Sequence, residues 1–321
     1  MAVAWGLVST ARINDKVLAG AAASTEVDVV AVASRDTARA ERYAREHGIE
    51  RAHGSYEALL EDPGVEAVYI SLPNGMHVDW SIRALEAGKH VLCEKPLTRR
   101  RRDAEAAFDA ADRAGRFLSE AFMYRHHPQM AELARLIGDG AVGRLSVVRS
   151  AFSFFLSDAT NVRLIGDLEG GALMDVGCYC VSSIRLLAGE PLRVYGEQTI
   201  DHGVDVGFAA TMACADGVIG QFDCGLKLAA RDELEVIGTE GSLFLDDPFH
   251  GRDPVIELRR DGGTERIEVE PANPYRLELE DLSAAIRGAG TPRLGRTDAV
   301  AQATAIEALY RSAQTGQAVA V

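Results

Sequence analysis

One lysine of this chain stands at the end of an apolar strand, in the segment Cys93-Glu94-Lys95-Pro96-Leu97. The preceding run from His90 to Cys93 is typical of a strand that is buried on both faces of a parallel sheet. Doubly wound sheets bind their ligands just beyond the carboxyl ends of their strands. Lys95 is therefore expected at a ligand-binding edge, where its ammonium group can donate hydrogen bonds.

A second candidate ligand site is the turn Gly6-Leu-Val-Ser-Thr-Ala-Arg-Ile-Asn14. It stands where a dinucleotide-binding fold keeps its G-x-G-x-x-G loop, and the three glycine positions read Ser9, Ala11 and Asn14. Small residues still let a ligand approach the backbone. The amino terminus of the following helix would present its N–H groups to a pyrophosphate. The turn therefore favours a bound dinucleotide.

The end of the second strand indicates which dinucleotide is bound. An acidic side chain at that point would accept from the ribose 2′-hydroxyl of NAD, whereas an arginine accommodates the 2′-phosphate of NADP. The chain has Ser34 and Arg35 there, with Asp36 next to them. This favours NADP over NAD, and the alternative is that Arg35 is an ordinary exposed loop residue.

The elements that must position these residues alternate between short apolar runs and helical patterns. The runs Val3 to Val8, Val27 to Ala33 and Ala67 to Leu72 are each followed by a helical segment, and the second and third of these segments end at Gly48 and Gly88. This alternation predicts an α/β lobe with a doubly wound parallel sheet. We expect residues 1–122 to form this dinucleotide-binding domain.

After about Met123 the pattern changes to a second domain, residues 123–321. Between Val194 and Val269, β-rich runs alternate with Asp-Gly, Gly and Pro turns, and two Ala-rich helices follow, near residues 274–287 and 297–315. This indicates an α+β lobe with an open, mainly antiparallel sheet and helices on one face. We expect it to bind the substrate and to form a homodimer or homotetramer by burying its open face.

Charge and composition exclude several classes of function. The 321 residues carry a formal net charge of -14, which would repel nucleic-acid phosphates and anionic membrane surfaces. Five cysteines without a C-x-x-C pair indicate a reduced, cytoplasmic protein without a zinc site. No secretory signal pattern and no run of eighteen apolar residues is present. We expect no nucleic-acid partner, no membrane partner and no metal.

Several short motifs occur together in a characteristic order. They are Pro73-Asn-Gly-Met-His77, Gly88-Lys-His-Val91, Glu94-Lys-Pro96, Glu120-Ala-Phe-Met-Tyr-Arg-His-His-Pro128, Gly170-Gly-Ala-Leu-Met-Asp-Val-Gly-Cys-Tyr179, Gly238-Thr-Glu-Gly241 and Asn273-Pro-Tyr-Arg-Leu-Glu278. Across nearly the whole chain, they resemble the glucose-fructose oxidoreductase, inositol dehydrogenase and rhizopine-catabolism family of NAD(P)-dependent oxidoreductases. The turn at Ser9 and the tyrosine at 179 look most like the branch of NADP-dependent aldose (xylose) dehydrogenases and dihydrodiol dehydrogenases. The resemblance implies a Rossmann fold for the first domain.

The resemblance also implies a set of cofactor-binding residues. They lie in the turn, after the second strand, after the third and fourth strands, and at the start of the second domain: Ser9, Thr10, Ala11, Arg12, Ile13, Ser34, Arg35, Leu72, Pro73, Asn74, His77, Glu94, Lys95 and Arg125. Asn74 and His77 would approach the ribose and nicotinamide. The alternative for His77 is a helix-start residue without a ligand.

Most members of the family carry a histidine where this chain has Tyr179, four residues after Asp175. The resemblance implies that Lys95, Asp175 and Tyr179 face the substrate. Because an unperturbed tyrosine has a pKa of about 10, it is a poor base near neutrality unless a nearby ammonium group stabilises the phenolate. We expect Tyr179 to be the acid/base and Lys95 its electrostatic partner, with the reverse assignment open.

Simpler roles are also possible for these residues. Tyr179 could be a helix residue packed in the core, and Asp175 could cap the helix that starts there. Tyr124, Asn161 and Arg163 are further candidates for substrate contact.

The expected function is an aldose or polyol dehydrogenase that passes hydride from a sugar-like alcohol to NADP. A keto-sugar reductase running in the opposite direction would use the same residues. Two other classes are a glycosidase that uses NAD without net redox change and a cofactor-sensing regulator without activity.

Overall fold

Six parallel strands form the sheet of the first unit in this computed structural model, which describes residues 1–321. The elements are β1 Val3–Val8, α1 Asn14–Ala22, β2 Val27–Ala33, α2 Thr37–His47, β3 Arg51–His53, α3 Tyr56–Leu60, β4 Ala67–Ile70, α4 His77–Glu86, β5 His90–Glu94, α5 Arg101–Ala114 and β6 Leu118–Ala121. The strand order is β3-β2-β1-β4-β5-β6, the usual order of dinucleotide-binding folds. The predicted doubly wound parallel sheet is confirmed.

Local sequence explains where these elements begin and end. Asp36 caps α2 by accepting from the backbone N–H of Arg39 at 2.7 Å, and Ser55 caps α3 in the same way at 3.1 Å. Gly48 ends α2 with a φ of 69°, in the left-handed region where glycine has no steric penalty. β4 is buried at all four positions, as the continuous apolar run predicts.

A helix from the far end of the chain completes the first unit. This unit consists of Met1–Met123 and Asn273–Val300, whereas the sequence division assigned all residues after 122 to the second domain. Helix α8, Pro274–Ile286, buries Leu279 and Leu282 in the same core as Trp5 of β1. Its backbone approaches α1 so closely that a Cβ on Gly20 would lie 2.7 Å from the backbone nitrogen of Arg276.

The second unit, Tyr124–Ala272 and Ala301–Val321, is built on a nine-stranded sheet. The remaining elements are α6 Pro128–Gly138, β7 Leu145–Phe155, α7 Cys178–Ala188, β8 Pro191–Asp201, β9 Val204–Cys214, β10 Ile219–Gly225, β11 Lys227–Gly238, β12 Ser242–Asp246, β13 Val255–Arg260, β14 Gly263–Glu268, α9 Arg296–Thr315 and β15 Val319–Ala320. The strand order of the sheet is β14-β13-β12-β11-β7-β10-β9-β8-β15, and every strand pair is antiparallel except β7 with β10. The predicted open, mainly antiparallel sheet is confirmed.

Helix α7 covers one face of this sheet. A Cβ on Gly220 of β10 would overlap the side chain of Ile184 of α7, so Gly220 permits the close approach of helix and sheet. The neighbouring residue Ile219 is exposed, because successive side chains of a strand point to opposite faces. Phe155 and Tyr195 are also exposed side chains on strands of this unit.

One segment, Gly166–Ala188, is long and apolar enough to cross a membrane by length and composition alone. It contains α7, and 78% of its most apolar window is buried inside the protein. This burial is typical of the core helix of a globular fold.

Candidate active site

The predicted cofactor turn follows β1 directly and is built around a serine in a strained conformation. Ser9 has a φ of 118°, in a region of backbone conformation where residues other than glycine are uncommon. Its hydroxyl lies 2.8 Å from the hydroxyl of Ser71 and accepts from the backbone N–H of Ala11 at 3.1 Å. Asn14 is fully buried and donates to the carbonyl of Ser9 at 2.8 Å. These bonds join the carboxyl ends of β1 and β4 and hold the turn.

The start of α1 leaves donors available at this turn. Backbone N–H groups from Asn14 onward bond to carbonyls of the turn, as Asn14 does to Ala11 at 3.0 Å, but no hydrogen bond within the chain uses the N–H groups of Arg12 and Ile13. Free N–H groups at a helix amino terminus are the usual ligands of a phosphate. The turn thus fits the pyrophosphate of a dinucleotide.

At the end of β2, Ser34 is buried and Arg35 is exposed. The carboxylate of Asp36, which counted against NADP in the sequence, is occupied as the cap of α2. One further arginine reaches the turn: the Nε of Arg39 donates to the hydroxyl of Thr10 at 2.7 Å. Arg39 was not among the residues predicted from sequence, although its position four residues after Arg35 on the predicted helix α2 was a usable signal.

The loop after β4 contains Leu72, Pro73, Asn74 and His77. The imidazole of His77 is 1% exposed, and its two nitrogens lie 2.8 Å from the carbonyl of Leu72 and 2.9 Å from that of Pro96. Burial lowers the pKa of His77, so the ring is neutral and donates to one carbonyl at a time. His77 ties the loop after β4 to the Lys95 segment, which is a structural role, and its approach to a cofactor stays a prediction.

Lys95 follows β5, the strand next to β4. The carboxylate of Glu94 accepts from the hydroxyl of Tyr69 and from the backbone N–H of Lys95, the latter at 3.3 Å. Burial raises the pKa of a second carboxyl group in this unit, that of Glu278, and the nearby charge of Glu94 raises it further. The pKa of Glu278 therefore lies well above its usual range, and Glu94 is bonded to the backbone of Lys95.

In the second unit, Asn161, Arg163 and Asp175 come together. The Nε of Arg163 donates to the Oδ2 of Asp175 at 2.7 Å, and its Nη1 lies 3.4 Å from the amide oxygen of Asn161. Asp175 sits inside a π-helical turn, Leu173–Gly177, that runs into α7. Its carboxylate therefore does not cap the start of the helix. That end is bonded instead by Asp205, whose Oδ2 accepts from the N–H of Leu173 at 2.7 Å.

Tyr179 lies in the first turn of α7 and is surrounded by aromatic rings. The ring centroids of Phe249, Phe152 and Tyr124 lie 5.2, 5.4 and 5.7 Å from that of Tyr179. The ring of Tyr179 is therefore packed in the core, as the simpler alternative expected. Such packing is compatible with a reactive hydroxyl. The hydroxyl of Tyr124 donates to Ser182 at 2.7 Å, so it supports α7 from inside the unit.

Arg125 belongs to the second unit and was predicted to bind the cofactor. Its Nη1 donates to the hydroxyl of Ser182 at 3.2 Å, the same hydroxyl that Tyr124 uses. The second unit therefore brings together Tyr124, Arg125 and Tyr179 through one helix, and the first unit gathers Ser9, Ser34, Asn74 and Lys95 at the carboxyl edge of its sheet.

One cluster of possible metal ligands lies beside Phe249. Ligand atoms of Asp232, Asp247 and His250 lie within 4.8 Å of one another. His250 donates to Asp232 at 2.6 Å, and Arg252 donates to Asp247 at 2.7 Å, so cationic or donating side chains already balance both carboxylates. Asp232 also accepts from the backbone N–H of Phe249 at 3.3 Å. The cluster thus anchors the ring that packs on Tyr179.

Comparison with known families agrees with this geometry. Residues 3–122 match the oxidoreductase family with an NAD-binding Rossmann fold, and residues 130–244 match the GFO/IDH/MocA C-terminal domain. The two matches cover the sheet of the first unit and most of the sheet of the second.

Individual relatives extend over nearly the whole chain. D-xylose 1-dehydrogenase (NADP(+)) 2 of Haloferax volcanii is 40% identical over 98% of both chains. A trans-1,2-dihydrobenzene-1,2-diol dehydrogenase of Danio rerio is 32% identical over 76% of this chain and 74% of its own. A 3-ketoreductase from Actinomadura kijaniata, solved with NADP and TDP-benzene, superimposes with a TM-score of 0.92 at 31% identity, covering 97% of this chain and 98% of its own. The chain therefore belongs to the Gfo/Idh/MocA family of oxidoreductases.

Proposed function

We propose that this protein is an NADP-dependent dehydrogenase that oxidises an alcohol carbon of an aldose or a related cyclic polyol. The observation that carries the proposal is the full-length similarity to an NADP-dependent D-xylose dehydrogenase, at 40% identity. The turn, the arginines after β2 and Lys95 at the end of β5 supply the groups that such an enzyme needs.

The cofactor proposal rests on donors in the first unit. The N–H groups of Arg12 and Ile13 would bind the pyrophosphate, and Ser34, Arg35 and Arg39 would bind the 2′-phosphate. When bound, NADP accepts or returns a hydride at its nicotinamide ring. The remaining cofactor residues of the sequence analysis stay predictions.

We assign the proton transfer to Tyr179 and Lys95. As hydride leaves the substrate carbon, the hydroxyl on that carbon must lose a proton to a base within hydrogen-bond reach. Tyr179 would take the proton as phenolate, and the Lys95 ammonium would stabilise that phenolate and hold the substrate oxygen. Solved variants of the 3-ketoreductase have one lysine or one tyrosine replaced, and the same number of residues separates those two as separates Lys95 from Tyr179.

Asp175 and its partners would orient the sugar. The carboxylate of Asp175 accepts from Arg163 at 2.7 Å, and the side chain of Arg163 is 42% exposed. Carboxylate acceptors and guanidinium donors are suited to the many hydroxyls of a sugar. Asn161 would support Arg163, because its side-chain amide oxygen accepts from the backbone N–H of Arg163 at 3.1 Å.

A second candidate is a keto-sugar reductase that works in the opposite direction. The 3-ketoreductase from Actinomadura kijaniata, similar over 97% of this chain, favours it. The same residues serve either direction, because the proton and hydride retrace the same path.

The deciding experiment follows the near-ultraviolet absorbance of reduced nicotinamide. Purified protein is mixed with NADP or NAD and a panel of aldoses, inositols and cyclic diols, and in parallel with NADPH and keto-sugars. Growth of the signal with an aldose supports the dehydrogenase, and decay with a keto-sugar supports the reductase. If neither assay gives a signal although the cofactor is bound, the dehydrogenase and the reductase are both excluded, and a reaction without net redox change is favoured.

Replacing Arg35 with aspartate is expected to shift cofactor preference from NADP toward NAD. A hydrogen bond to a charged group contributes about 1.5–3 kcal/mol, so the preference should change by about 10- to 150-fold. The readout is the ratio of kcat/KM for the two cofactors. Arg42→Asp, on the exposed side of α2, is the matched control and should leave the ratio unchanged. If Arg35→Asp leaves the ratio unchanged, the 2′-phosphate contact is made by Ser34 or Arg39 and not by Arg35.

We further propose a homodimer or homotetramer that buries the open face of the second sheet. Arg149, Gln221 and Phe244 line a groove of about 400 Å³ on this sheet, and Phe155 is 67% exposed. An uncovered sheet face with large apolar side chains is typical of an interface. Light scattering should give a multiple of 34.5 kDa, and Phe155→Glu combined with Ile219→Glu should lower it. A wild-type monomer at working concentration would contradict this.

A cytoplasmic location is proposed from the cysteines. All five are free thiols in the structure, and all are buried. Unpaired buried thiols are common where glutathione keeps proteins reduced.

A further inference from the structure

Asp205 of β9 is a buried carboxylate that binds the amino-terminal end of the helical segment carrying Asp175 and Tyr179. The side chain is 3% exposed. Its Oδ2 accepts from the backbone N–H of Leu173 at 2.7 Å, and its Oδ1 accepts from the hydroxyl of Tyr310 in α9 at 2.9 Å. A carboxylate at a helix amino terminus satisfies donors that the helix itself cannot use and opposes the positive end of its dipole.

The two glycines before this helical segment fit closely around the same carboxylate. Gly171 has a φ of 126°, and a Cβ there would overlap the Oδ1 of Asp205. A Cβ on Gly170 would overlap the carbonyl of Arg163, the carbonyl that accepts from the N–H of Gly171 at 2.9 Å. The Gly170-Gly171 pair is therefore held between the Arg163 backbone on one side and Asp205 on the other.

This arrangement connects Asp205 to the predicted substrate residues. The carbonyl of Gly171 accepts from the backbone N–H of Asp175 at 3.0 Å, and the carboxylate of Asp175 accepts from Arg163 at 2.7 Å. Tyr179 follows Asp175 by about one helical turn. Moving the start of the segment would move these three side chains together.

We propose that Asp205 is a positioning residue: clamped against Gly171 and supported by Tyr310, it fixes the segment that presents Asp175 and Tyr179 to the substrate. The expected effect of Asp205 on turnover rests on the proposed dehydrogenase function. Its effect on the helix start can be measured without substrate.

The ionisation of Asp205 supplies supporting evidence. Burial raises its pKa to about 6, although the N–H of Leu173 and the hydroxyl of Tyr310 act to lower it. The ionisable groups that face it are the phenol of Tyr310, whose hydroxyl donates to its Oδ1, and the thiol of Cys224, whose pKa is raised by burial. Because folding raises this pKa, the contribution of Asp205 to stability is full below about 3.8 and is lost as the pH rises through about 6.

The test compares Asp205→Ala, Asp205→Asn and a control, Ser312→Ala. Ser312 lies two residues after Tyr310 in α9 and makes its own buried bonds, accepting from the N–H of Gly196 at 3.1 Å and donating to Gln317 at 2.6 Å. Asp205→Ala should lower kcat by about 100-fold, the effect of a displacement of about 1 Å at a reacting centre, with the Kd for NADP unchanged. Asp205→Asn should restore most of kcat, because its amide can accept from Leu173 and donate to Tyr310.

Amide hydrogen exchange provides the readout that does not need turnover. In Asp205→Ala the amides of residues 172–175 should exchange at least tenfold faster than in wild type, and in Ser312→Ala they should not. The fall of the urea midpoint as the pH rises from 4 to 7 should be smaller in Asp205→Asn than in wild type. The proposal is wrong if exchange is unchanged, or if Asp205→Ala and Ser312→Ala lower kcat equally. A wild-type protein inactive on every substrate would contradict the proposed function alone.

Discussion

Replacing Lys95 with methionine is expected to lower turnover by about two to four decades, the range found for general acid/base groups. Methionine keeps the length of the side chain and removes the ammonium group, so under the proposed mechanism the substrate oxygen would lose its donor and the phenolate of Tyr179 would lose its counter-charge. The Kd for NADP should change little, because the proposed phosphate donors are in the turn after β1 and after β2. Steady-state kinetics and a fluorescence titration with NADPH measure the two quantities.

The control for this variant is Lys227→Met. The Nζ of Lys227 donates to the carbonyl of Leu156 at 2.7 Å, so this change also removes a bonded lysine, but from the second sheet. Its turnover should stay close to wild type. If Lys95→Met kept turnover within a factor of about three, the assignment of Lys95 to the reacting carbon would be wrong.

The parallel sheet could be predicted from sequence because its strands are buried on both faces. Runs such as Val27–Ala33 have no polar alternation, and glycines end the helices between them. β3 and α3 were missed because they are three and five residues long, too short for a periodic pattern. The cap at Ser55 was the one local signal for α3.

The return of α8 to the first unit could not be predicted from local sequence. The helix itself was expected near residues 274–287, but its partners, Trp5 and the α1 helix, lie more than 250 positions earlier in the chain. Its polar contact is equally distant in sequence: Trp5 donates from its indole nitrogen to Ser283 at 3.2 Å. Apolar positions on a helix predict that it packs, and do not identify what it packs against.

The same limit applies to the candidate site. Motif resemblance indicated Asp175 and Tyr179, and the spacing of Arg163 gave no sign that it binds Asp175. Asp205 was missed altogether, because a single aspartate in a β-rich run carries no periodic or motif signal. Tyr124 was predicted to contact substrate. Its hydroxyl donates to Ser182, and the contact with substrate stays a prediction.

Tyr179→Phe is expected to lower turnover by about two to four decades while the fold is retained. Phenylalanine keeps the ring that packs against Phe249, Phe152 and Tyr124, so the change removes only the hydroxyl. Tyr195→Phe, which alters an exposed tyrosine of β8, is the matched control and should leave turnover close to wild type. The thermal midpoint of Tyr179→Phe should stay within a few degrees of wild type, because the ring packing is preserved.

The size of the loss decides which residue carries the proton. If Tyr179 is the acid/base, Lys95→Met and Tyr179→Phe each remove most of the rate, and the double variant is only slightly slower than either, because groups that act as one unit are not additive. If Lys95 carries the proton alone, Tyr179→Phe should lower turnover by about tenfold or less. A loss of that small size would assign Tyr179 to holding the substrate and Lys95 to the chemistry.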